Sequence, residues 1–173
     1  DWEHGTFLAA TMSSEQTAAA AGTVGQLRFD PFAQLPFAGY NMGDYINHYL
    51  KIGKTEGAKL PKIFYVNWFR KSDEGKFLWP GYGENSRVLE WVCRRVDGQG
   101  EAVETPLGFV PAAGDLNLEG LEISDADLQQ LLSVDAELVK SELPQIKEFL
   151  NKFGDHLPAE IKAQLDALEQ KLG

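Results

Sequence analysis

The stretch between residues 51 and 95 combines aromatic rings with positive charge, and it holds the residues best suited to bind a ligand. It contains ten basic and five acidic residues, whereas the whole chain carries a net charge of −10. Eight of the nineteen aromatic residues fall within 28 positions of this stretch: Phe64, Tyr65, Trp68, Phe69, Phe77, Trp79, Tyr82 and Trp91. Rings beside basic groups suit a small anionic ligand with a flat ring. The alternative is an aromatic core bordered by lysines whose aliphatic stems cover it.

Two glycine-containing motifs match phosphate-binding loops only in part. Gly53-Lys54-Thr55 resembles the end of a Walker A loop, but His48 stands where that loop needs its first glycine. Residues 81–86 keep two glycines of the G-x-G-x-x-G pattern and have Ser86 in place of the third. We therefore expect neither motif to bind phosphate or to open a dinucleotide-binding fold.

The sequence shows no complete catalytic or metal-binding set. The histidines at positions 4, 48 and 156 are scattered, and none has a second histidine at the spacing of metal ligands. Asp44 and His48 stand four residues apart on a predicted helix, which favours a surface pair. The single cysteine, Cys93, excludes an internal disulfide and a zinc site built from four cysteines. We expect no metal site and no catalytic residue in this chain.

Length and charge limit the class of protein. The 173 residues fit one domain, and 43% apolar with 24% charged residues is an ordinary globular composition. An acidic chain is a poor ligand for nucleic acid or for an anionic membrane. No run of 18 apolar residues is present, and the first residues do not resemble a signal peptide. We expect a cytoplasmic, monomeric protein with no nucleic-acid or membrane partner.

Strands and helices are both predicted over the first 110 residues. Apolar and aromatic runs predict strands at 6–12, 26–30, 62–68 and 105–110. Helical spacing predicts helices at 44–51 and 87–96, the second capped by Asn85 or Ser86. Residues 32–41 and 72–76 are rich in proline, glycine or polar residues and predict a loop and a turn.

The last third, about residues 124–173, is predicted to be helical. Ser124 and Asp127 are spaced like a capping box, and Pro144 and Pro158 are expected to open the next two helices. The fold class is therefore mixed α and β (α/β in the broad sense, α+β), with a mixed sheet in the first two-thirds. We expect residues 1–173 to form a single domain.

Long runs of this sequence carry a specific family resemblance. Residues 60–71 read LPKIFYVNWFRK and residues 75–91 read GKFLWPGYGENSRVLEW. Upstream, residues 14–20 read SEQTAAA, residues 30–32 read DPF and residues 35–41 read LPFAGYN. Over nearly its whole length the chain resembles the C-terminal portion of the GTP-dependent phosphoenolpyruvate carboxykinases, which are considerably longer.

The resemblance implies a guanine-binding site in the aromatic stretch. Phe69, Phe77 and Tyr82 would form the slot that holds the base, and the carboxamide of Asn85 would read its edge. Pro80, Gly81 and Gly83 would let the backbone approach the base closely. Stacking tolerates any base, so the choice of guanine needs the directional hydrogen bonds of an amide such as that of Asn85.

The resemblance also implies an activity that needs more than this chain. The family converts oxaloacetate and GTP to phosphoenolpyruvate, GDP and carbon dioxide in gluconeogenesis, with a divalent metal, Mn or Mg. Its phosphate loop, metal ligands and substrate-binding arginines precede the segment seen here, so the missing N-terminal portion is an expected partner and the isolated chain is expected to be inactive. Residues of about 15–25 resemble the family's mobile lid, and the members that match are Glu15, Thr17, Ala18, Ala19 and Ala20.

Two other functions remain open at this stage. The chain could be a non-catalytic interaction module in which acidic helices dock a partner and the aromatic stretch is core. It could also belong to a relative that uses adenine nucleotides. Quenching of tryptophan emission by GDP, measured for the wild type and for Phe77→Ala, separates the first alternative from a base-binding slot, and the base preference of an Asn85 variant separates the second.

Overall fold

The computed structural model describes residues 1–15 and 27–173, and these form two compact units. The first unit combines Asp1–Tyr65 with Glu137–Gly173, and the second is Val66–Ala136. The predicted lid at about 15–25 lies outside the described residues except for Glu15. Its members Thr17, Ala18, Ala19 and Ala20 therefore stay a prediction from sequence.

The described part of the chain is mixed α and β, as predicted. The helices are α1 (Trp2–Ala10), α2 (Met42–Gly53), α3 (Asn85–Val96), α4 (Asp125–Leu132), α5 (Ala136–Asn151) and α6 (Ala159–Leu172). The strands are β1 (Ser13–Glu15), β2 (Leu27–Phe29), β3 (Ala102–Thr105) and β4 (Gly108–Pro111). The strands of the described residues form two antiparallel pairs, β1 with β2 and β3 with β4, rather than the larger mixed sheet that we predicted.

The first unit is built around helices whose apolar stripes are buried. Ile46 and Leu50 of α2 and Ile161 of α6 are almost fully buried, together with Phe7 of α1 and Leu150 of α5. The apolar stripe of α6, formed by Ile161, Leu165, Leu168 and Leu172, is buried along its whole length. The amphipathic faces of these helices therefore form the core of the unit itself.

The segment predicted as the first strand is helical. Helix α1 begins after Asp1, whose carboxylate accepts a hydrogen bond from the His4 N–H at 2.8 Å. The helix buries Thr6, Phe7 and Ala10 against its neighbours. A short apolar run is compatible with a buried strand or a buried helix, and the N-terminal cap decides for the helix here.

The segment 62–68, predicted as a strand, is not one. Its ring-bearing and β-branched residues favour a pleated surface, but no described strand pairs with it. Its Ile63 instead packs against Gly5, where a Cβ would meet the Ile63 side chain at 2.7 Å. The antiparallel pairing of β1 and β2 confirms the strand that we predicted at 26–30.

In the second unit, α3 lies beside the β3–β4 hairpin. Trp91 of α3 is buried, and its indole N–H donates to the backbone oxygen of Glu101 at 3.2 Å. The strand predicted at 105–110 is two strands, because Pro106 and Leu107 form the turn between β3 and β4. Arg94 of α3 pairs with Asp115 at 3.0 Å, and this contact holds the pKa of that carboxyl below its usual range.

The helical last third is confirmed, with one boundary misplaced. Ser124 caps α4 by accepting from the Asp127 N–H at 3.1 Å, as the capping-box spacing predicts. Pro158 precedes α6 as predicted. Pro144, however, lies inside α5 and does not open it. Proline lacks an N–H, so the helix continues past it with one backbone hydrogen bond fewer.

Candidate functional site: an exposed aromatic hairpin and the start of helix α3

A tight hairpin brings two of the predicted site residues together. Lys71 and Phe77 face each other as an antiparallel bridge, and the Leu78 N–H donates to the Arg70 oxygen at 2.9 Å. The turn predicted at 72–76 closes the hairpin, with the Gly75 N–H donating to the Ser72 oxygen at 2.9 Å. Phe69 and Phe77 are therefore carried on opposite arms of one hairpin.

The two rings on the hairpin are exposed and lie against each other at an angle. Phe69 is 71% exposed and Phe77 is 58% exposed. Their ring centres are 6.3 Å apart, and their planes make an angle of 63°. The ammonium group of Lys71 lies 5.2 Å from the centre of the Phe77 ring. The rings touch edge to face, and no base-sized gap separates them in this conformation.

Backbone contacts fix the arm that carries Phe69. The Asn67 carboxamide oxygen accepts from the Phe69 N–H at 2.9 Å. The guanidinium of Arg70 donates to the backbone oxygens of Ser133 at 2.8 Å and Leu131 at 3.4 Å, at the end of α4. Arg70 and Asn67 therefore hold the first arm of the hairpin in place while leaving the Phe69 ring in solvent.

The segment from Pro80 to Gly83 forms an open turn directly before α3. Tyr82 is 93% exposed, so its ring has almost no packing of its own. Gly81 has a φ of +118°, a conformation that L side chains rarely adopt. A Cβ at Gly81 or at Gly83 would meet no atom within 4 Å. The backbone of this turn is therefore accessible to a ligand.

Asn85 occupies the first turn of α3 but does not cap the helix. The cap position is Glu84, and no side chain caps this end of the helix. The Asn85 carboxamide oxygen instead accepts a hydrogen bond from the indole N–H of Trp79 at 2.9 Å. The prediction that Asn85 or Ser86 caps α3 is therefore wrong, since Asn85 is held by a side chain from the preceding segment.

The start of α3 is fixed by Arg87. Its guanidinium contacts the Glu84 carboxylate at 2.5 Å and donates to the backbone oxygens of Asn117 at 2.7 Å and Glu119 at 2.9 Å. Trp79 itself is only 6% exposed. Asn85 therefore projects from a firmly held helix end, in contrast to the exposed rings.

The sequence analysis named Phe69, Phe77, Tyr82 and Asn85 as site residues and did not predict a role for Trp79. The structure brings Phe69 and Phe77 into contact and places Tyr82 and Asn85 on the turn and helix that follow the same hairpin. A buried indole N–H almost always has an acceptor, and Asn85 is the amide six residues away. The need of the Trp79 indole for an acceptor was therefore the sequence signal that could have indicated its hydrogen bond with Asn85.

The first unit shows the contacts of two features considered from sequence, the Asp44–His48 pair and the Gly53-Lys54-Thr55 motif. Asp44 contacts His156 at 2.8 Å and not His48, and this hydrogen bond raises the pKa of the His156 imidazole. Gly53-Lys54-Thr55 ends α2, and Lys54 pairs with Glu160. The motif therefore forms the end of a helix in this structure.

An apolar groove lies elsewhere in the second unit. Its volume is about 610 Å³, and it lies between the β3–β4 hairpin and α4, lined among others by Val103, Val110, Leu128 and Leu132. None of the four predicted guanine-contacting residues lines it. Exposed rings that touch each other enclose no cavity, so the predicted slot is not a preformed pocket in this conformation.

The described part of the chain holds neither a metal-binding cluster nor a membrane-spanning helix. Among residues 1–15 and 27–173, no group of three or more His, Cys, Asp and Glu side chains could hold a metal ion. Within the same residues, no helix has both the length and the hydropathy needed to span a membrane.

Comparison with known proteins gives a consistent family. A family model described as the phosphoenolpyruvate carboxykinase C-terminal P-loop domain matches residues 1–171. The chain is 56% identical over 173 residues to a phosphoenolpyruvate carboxykinase [GTP] of Neocallimastix frontalis, covering 99% of this chain and 28% of that protein. It is 50% identical over 174 residues to the enzyme of the same name from Renibacterium salmoninarum, covering 100% of this chain and 29% of that protein.

Similarity to these relatives extends over at least 99% of the sequence, including the acidic helical third. An Arthrobacter sp. (strain FB24) protein of the same name is 49% identical over 172 residues, again 99% of this chain and 28% of the relative. The chain therefore spans less than a third of the length of the curated relatives that it matches. The chain belongs to the family of the phosphoenolpyruvate carboxykinase C-terminal P-loop domain, and its named relatives are the GTP-dependent enzymes.

Proposed function

We propose that this chain is the guanine-recognising part of a GTP-dependent phosphoenolpyruvate carboxykinase. Phe69, Phe77 and Tyr82 stack on the base, and Asn85 reads its edge. The complete enzyme converts oxaloacetate and GTP to phosphoenolpyruvate, GDP and carbon dioxide. Family membership supports the reaction, and the exposed hairpin supports the position of the base.

The observation that carries this proposal is the exposure of three large rings in consecutive segments. A buried aromatic side chain removes about 150–250 Å² from water, which stabilises a fold by several kcal/mol. Phe69, Phe77 and Tyr82 forgo most of that gain, being 71%, 58% and 93% exposed. Clustered exposed apolar groups mark interaction sites. A core role for these three rings, which the interaction-module alternative requires, does not fit their exposure.

The rings must turn before they can hold a base between them. A flat base between two rings needs them nearly parallel and roughly 7 Å apart, twice the ~3.5 Å contact distance of carbon atoms. The observed centre distance of 6.3 Å is close to that spacing, but the 63° angle is not parallel. Both side chains are more than half exposed, so little packing opposes rotation about their side-chain bonds. The base therefore enters by ring reorientation on a fixed hairpin.

Affinity and selectivity come from different groups at this site. Stacking on an aromatic ring contributes about 1–3 kcal/mol per base and tolerates any base. The carboxamide of Asn85 adds a directional contact that stacking cannot provide. The open backbone at Gly81 and Gly83 lets the base edge reach main-chain groups. The chain alone is expected to bind GDP weakly, with a Kd of about millimolar.

The chemistry at phosphate and oxaloacetate lies outside the residues described here. Because residues 1–15 and 27–173 hold no group of three or more His, Cys, Asp and Glu side chains that could bind a metal ion, we assign the site of Mn or Mg to the rest of the enzyme. The phosphate loop, the metal ligands and the groups that bind oxaloacetate and phosphoenolpyruvate are assigned to the rest of the enzyme, which the relatives' greater length accommodates. This chain binds and orients the base only.

Quenching of tryptophan emission by GDP tests the proposed slot. The wild-type chain should show saturable quenching, with free tryptophan as the control for light absorption by GDP. Phe77→Ala should weaken binding by about 5- to 100-fold, which corresponds to the loss of one stacking partner. The matched control is Phe109→Ala, because Phe109 is a ring in the same unit and is 62% exposed.

Absence of quenching in the wild-type chain, or equal effects of the Phe77 and Phe109 variants, would refute the slot. The first result would favour the non-catalytic interaction module. A separate assay of oxaloacetate turnover with GTP tests whether the phosphate and metal sites lie in other residues of the enzyme. The chain alone should be inactive, and clear turnover would contradict the assignment of the phosphate and metal sites to other residues.

A further inference from the structure

We propose that Trp79 is a positioning residue that sets which base the slot accepts, by fixing the orientation of the Asn85 carboxamide. This inference rests on the proposed guanine-binding function. Its basis is the hydrogen bond from the Trp79 indole N–H to the Asn85 Oδ1 atom, at 2.9 Å. Trp79 would touch no nucleotide itself and would act through Asn85.

An indole can pair with only one end of a carboxamide. The tryptophan N–H donates and never accepts, whereas the asparagine side chain has an accepting oxygen and a donating NH₂ group. Trp79 is 6% exposed, so its N–H has little access to water. Turning the Asn85 amide over would place NH₂ against the indole N–H and leave a buried donor without an acceptor. Trp79 therefore selects one of the two amide orientations.

The selected orientation leaves the Asn85 NH₂ group as the end that faces a ligand. Guanine carries an accepting oxygen, O6, at the position where adenine carries a donating amino group, N6. The Asn85 NH₂ group can therefore donate a hydrogen bond to O6 of guanine, whereas with adenine it faces the N6 amino group, which is also a donor. Without Trp79 the amide could turn over and accept from adenine equally well. By holding the Asn85 carboxamide in one orientation, Trp79 makes the site prefer guanine to adenine.

The scaffold around the pair is rigid enough for this role. Asn85 lies at the beginning of α3, and the adjacent Arg87 joins Glu84 to the backbone at Asn117 and Glu119. Trp79 is buried on the other side of the hydrogen bond. In contrast to the exposed rings, which must reorient, the hydrogen-bonding group is held in place before the base arrives.

Two substitutions and a matched control test this inference in the 173-residue chain. Trp79→Phe removes the indole N–H and keeps an aromatic ring. Asn85→Asp keeps the acceptor for Trp79 and replaces the ligand-facing donor by an acceptor. The control is Trp91→Phe, since Trp91 is also buried in the second unit but donates to the Glu101 backbone. Dissociation constants for GTP, ITP and ATP are measured by NMR titration, with Phe77→Ala in parallel.

The wild-type chain should prefer GTP and ITP, which share the accepting oxygen, over ATP. Trp79→Phe should lower the preference for GTP over ATP by about 3- to 10-fold, the range for one lost hydrogen bond. Asn85→Asp should weaken GTP binding at least about tenfold and lower the same preference further. Trp91→Phe should leave the preference unchanged.

A readout without nucleotide keeps the inference testable if Trp79→Phe does not fold. The indole N–H of Trp79 should exchange with solvent more slowly than that of an exposed tryptophan, and Asn85→Ala should speed its exchange about tenfold or more. Unchanged exchange, or an Asn85→Asp variant that keeps the wild-type base preference, would overturn the positioning role.

The failures of the two proposals are distinguishable. If Phe77→Ala weakens all three nucleotides while Trp79→Phe keeps the preference for GTP, the slot stands and Trp79 does not position Asn85. If Phe77→Ala changes no affinity, the proposed guanine site itself is refuted. A wild-type chain that binds GTP and ATP equally would refute the selective orientation and favour the adenine-using relative.

Discussion

The ammonium group of Lys71 lies 5.2 Å from the centre of the Phe77 ring, on the same hairpin that carries both exposed phenylalanines. A cation over a ring at an exposed site contributes about 0.5–1 kcal/mol. The same charge lies where an anionic ligand stacked on Phe77 would come close to it. Lys71 is therefore the basic group of this hairpin best placed to favour a nucleotide over its uncharged nucleoside.

Lys71→Met should weaken GDP binding by about two- to threefold at low salt, as expected for one charge acting through water at about 10 Å. Binding of guanosine, which carries no phosphate, should not weaken. The difference should shrink as salt is added, because exposed charges are screened. Tryptophan quenching in buffers of increasing ionic strength measures both ligands.

The control for this prediction is Lys76→Met. Lys76 lies on the same hairpin, where its ammonium pairs with Glu74 at 3.3 Å rather than with the ring. An equal loss of GDP affinity in the two variants would show that general charge, and not the position of Lys71, is responsible. Equal losses for GDP and guanosine would show that Lys71 acts on the ring and not on phosphate.

Gly83→Ala tests the access of a base to the backbone without disturbing the fold. A Cβ at Gly83 meets no atom within 4 Å, so the melting temperature should stay within about 2 °C of wild type. GDP affinity should fall, because the added methyl group occupies the space through which the base approaches. Calorimetry and tryptophan quenching measure the two effects separately.

The contrasting variant is Gly81→Ala, since Gly81 adopts a φ of +118°. An alanine there is strained by about 1–3 kcal/mol, so it should lower both stability and GDP affinity. If Gly83→Ala keeps full affinity, the backbone at this position does not approach the base.

The helical elements were predictable from sequence where caps and long stripes agree. The stripe of α6 and the Ser124 cap of α4 are examples, because each combines a boundary signal with a periodic pattern. The segment 62–68 was not predictable in this way. Its composition favours a strand. A strand also needs a neighbouring strand for its backbone hydrogen bonds, and the composition of one segment does not show whether such a neighbour exists.

The candidate site was predictable as a set of residues but not as an arrangement. The motif around Phe77 and Asn85 marks the segment, yet no local pattern indicates that Phe69 and Phe77 touch at 63°. Their geometry depends on the register of a hairpin whose arms are joined by a turn at Gly75. The Trp79–Asn85 hydrogen bond likewise depends on burial of the indole, which sequence spacing does not determine.

The contact between His156 and Asp44 predicts a pH dependence of the first unit. The hydrogen bond to Asp44 and its charge raise the pKa of His156 above the ordinary value, with a further contribution from Asp155. A raised pKa in the folded state stabilises the protein fully below the unfolded value of about 6.5 and loses that effect as pH rises through the folded value. The melting temperature of the wild-type chain should therefore lose this contribution as the pH rises above about 6.5.

Asp44→Asn should remove this pH-dependent contribution, so the wild type and the variant should differ most below about pH 6 and converge at alkaline pH. Melting curves at a series of pH values measure the difference. His48→Gln is the control, because His48 is an exposed histidine like His156 but lies on α2, and the partner of Asp44 is His156. A difference that grows with rising pH would contradict the assignment.

Gly43 of α2 is required by close packing against the turn that contains His156. A Cβ at this position would lie 2.5 Å from the His156 backbone oxygen, and backbone cannot move away as a flexible side chain can. Gly43→Ala should therefore destabilise the chain by about 1–3 kcal/mol, even though alanine favours helix.

The control is Gly39→Ala, whose Cβ meets nothing within 4 Å and which should change stability by less than about 0.5 kcal/mol. Denaturant unfolding measures both variants, and equal stabilities would show that α2 and this turn are not closely packed in solution. Because Gly43 and the aromatic hairpin belong to different units, loss of stability without loss of GDP quenching in the folded variant would also show that the hairpin binds independently of this contact.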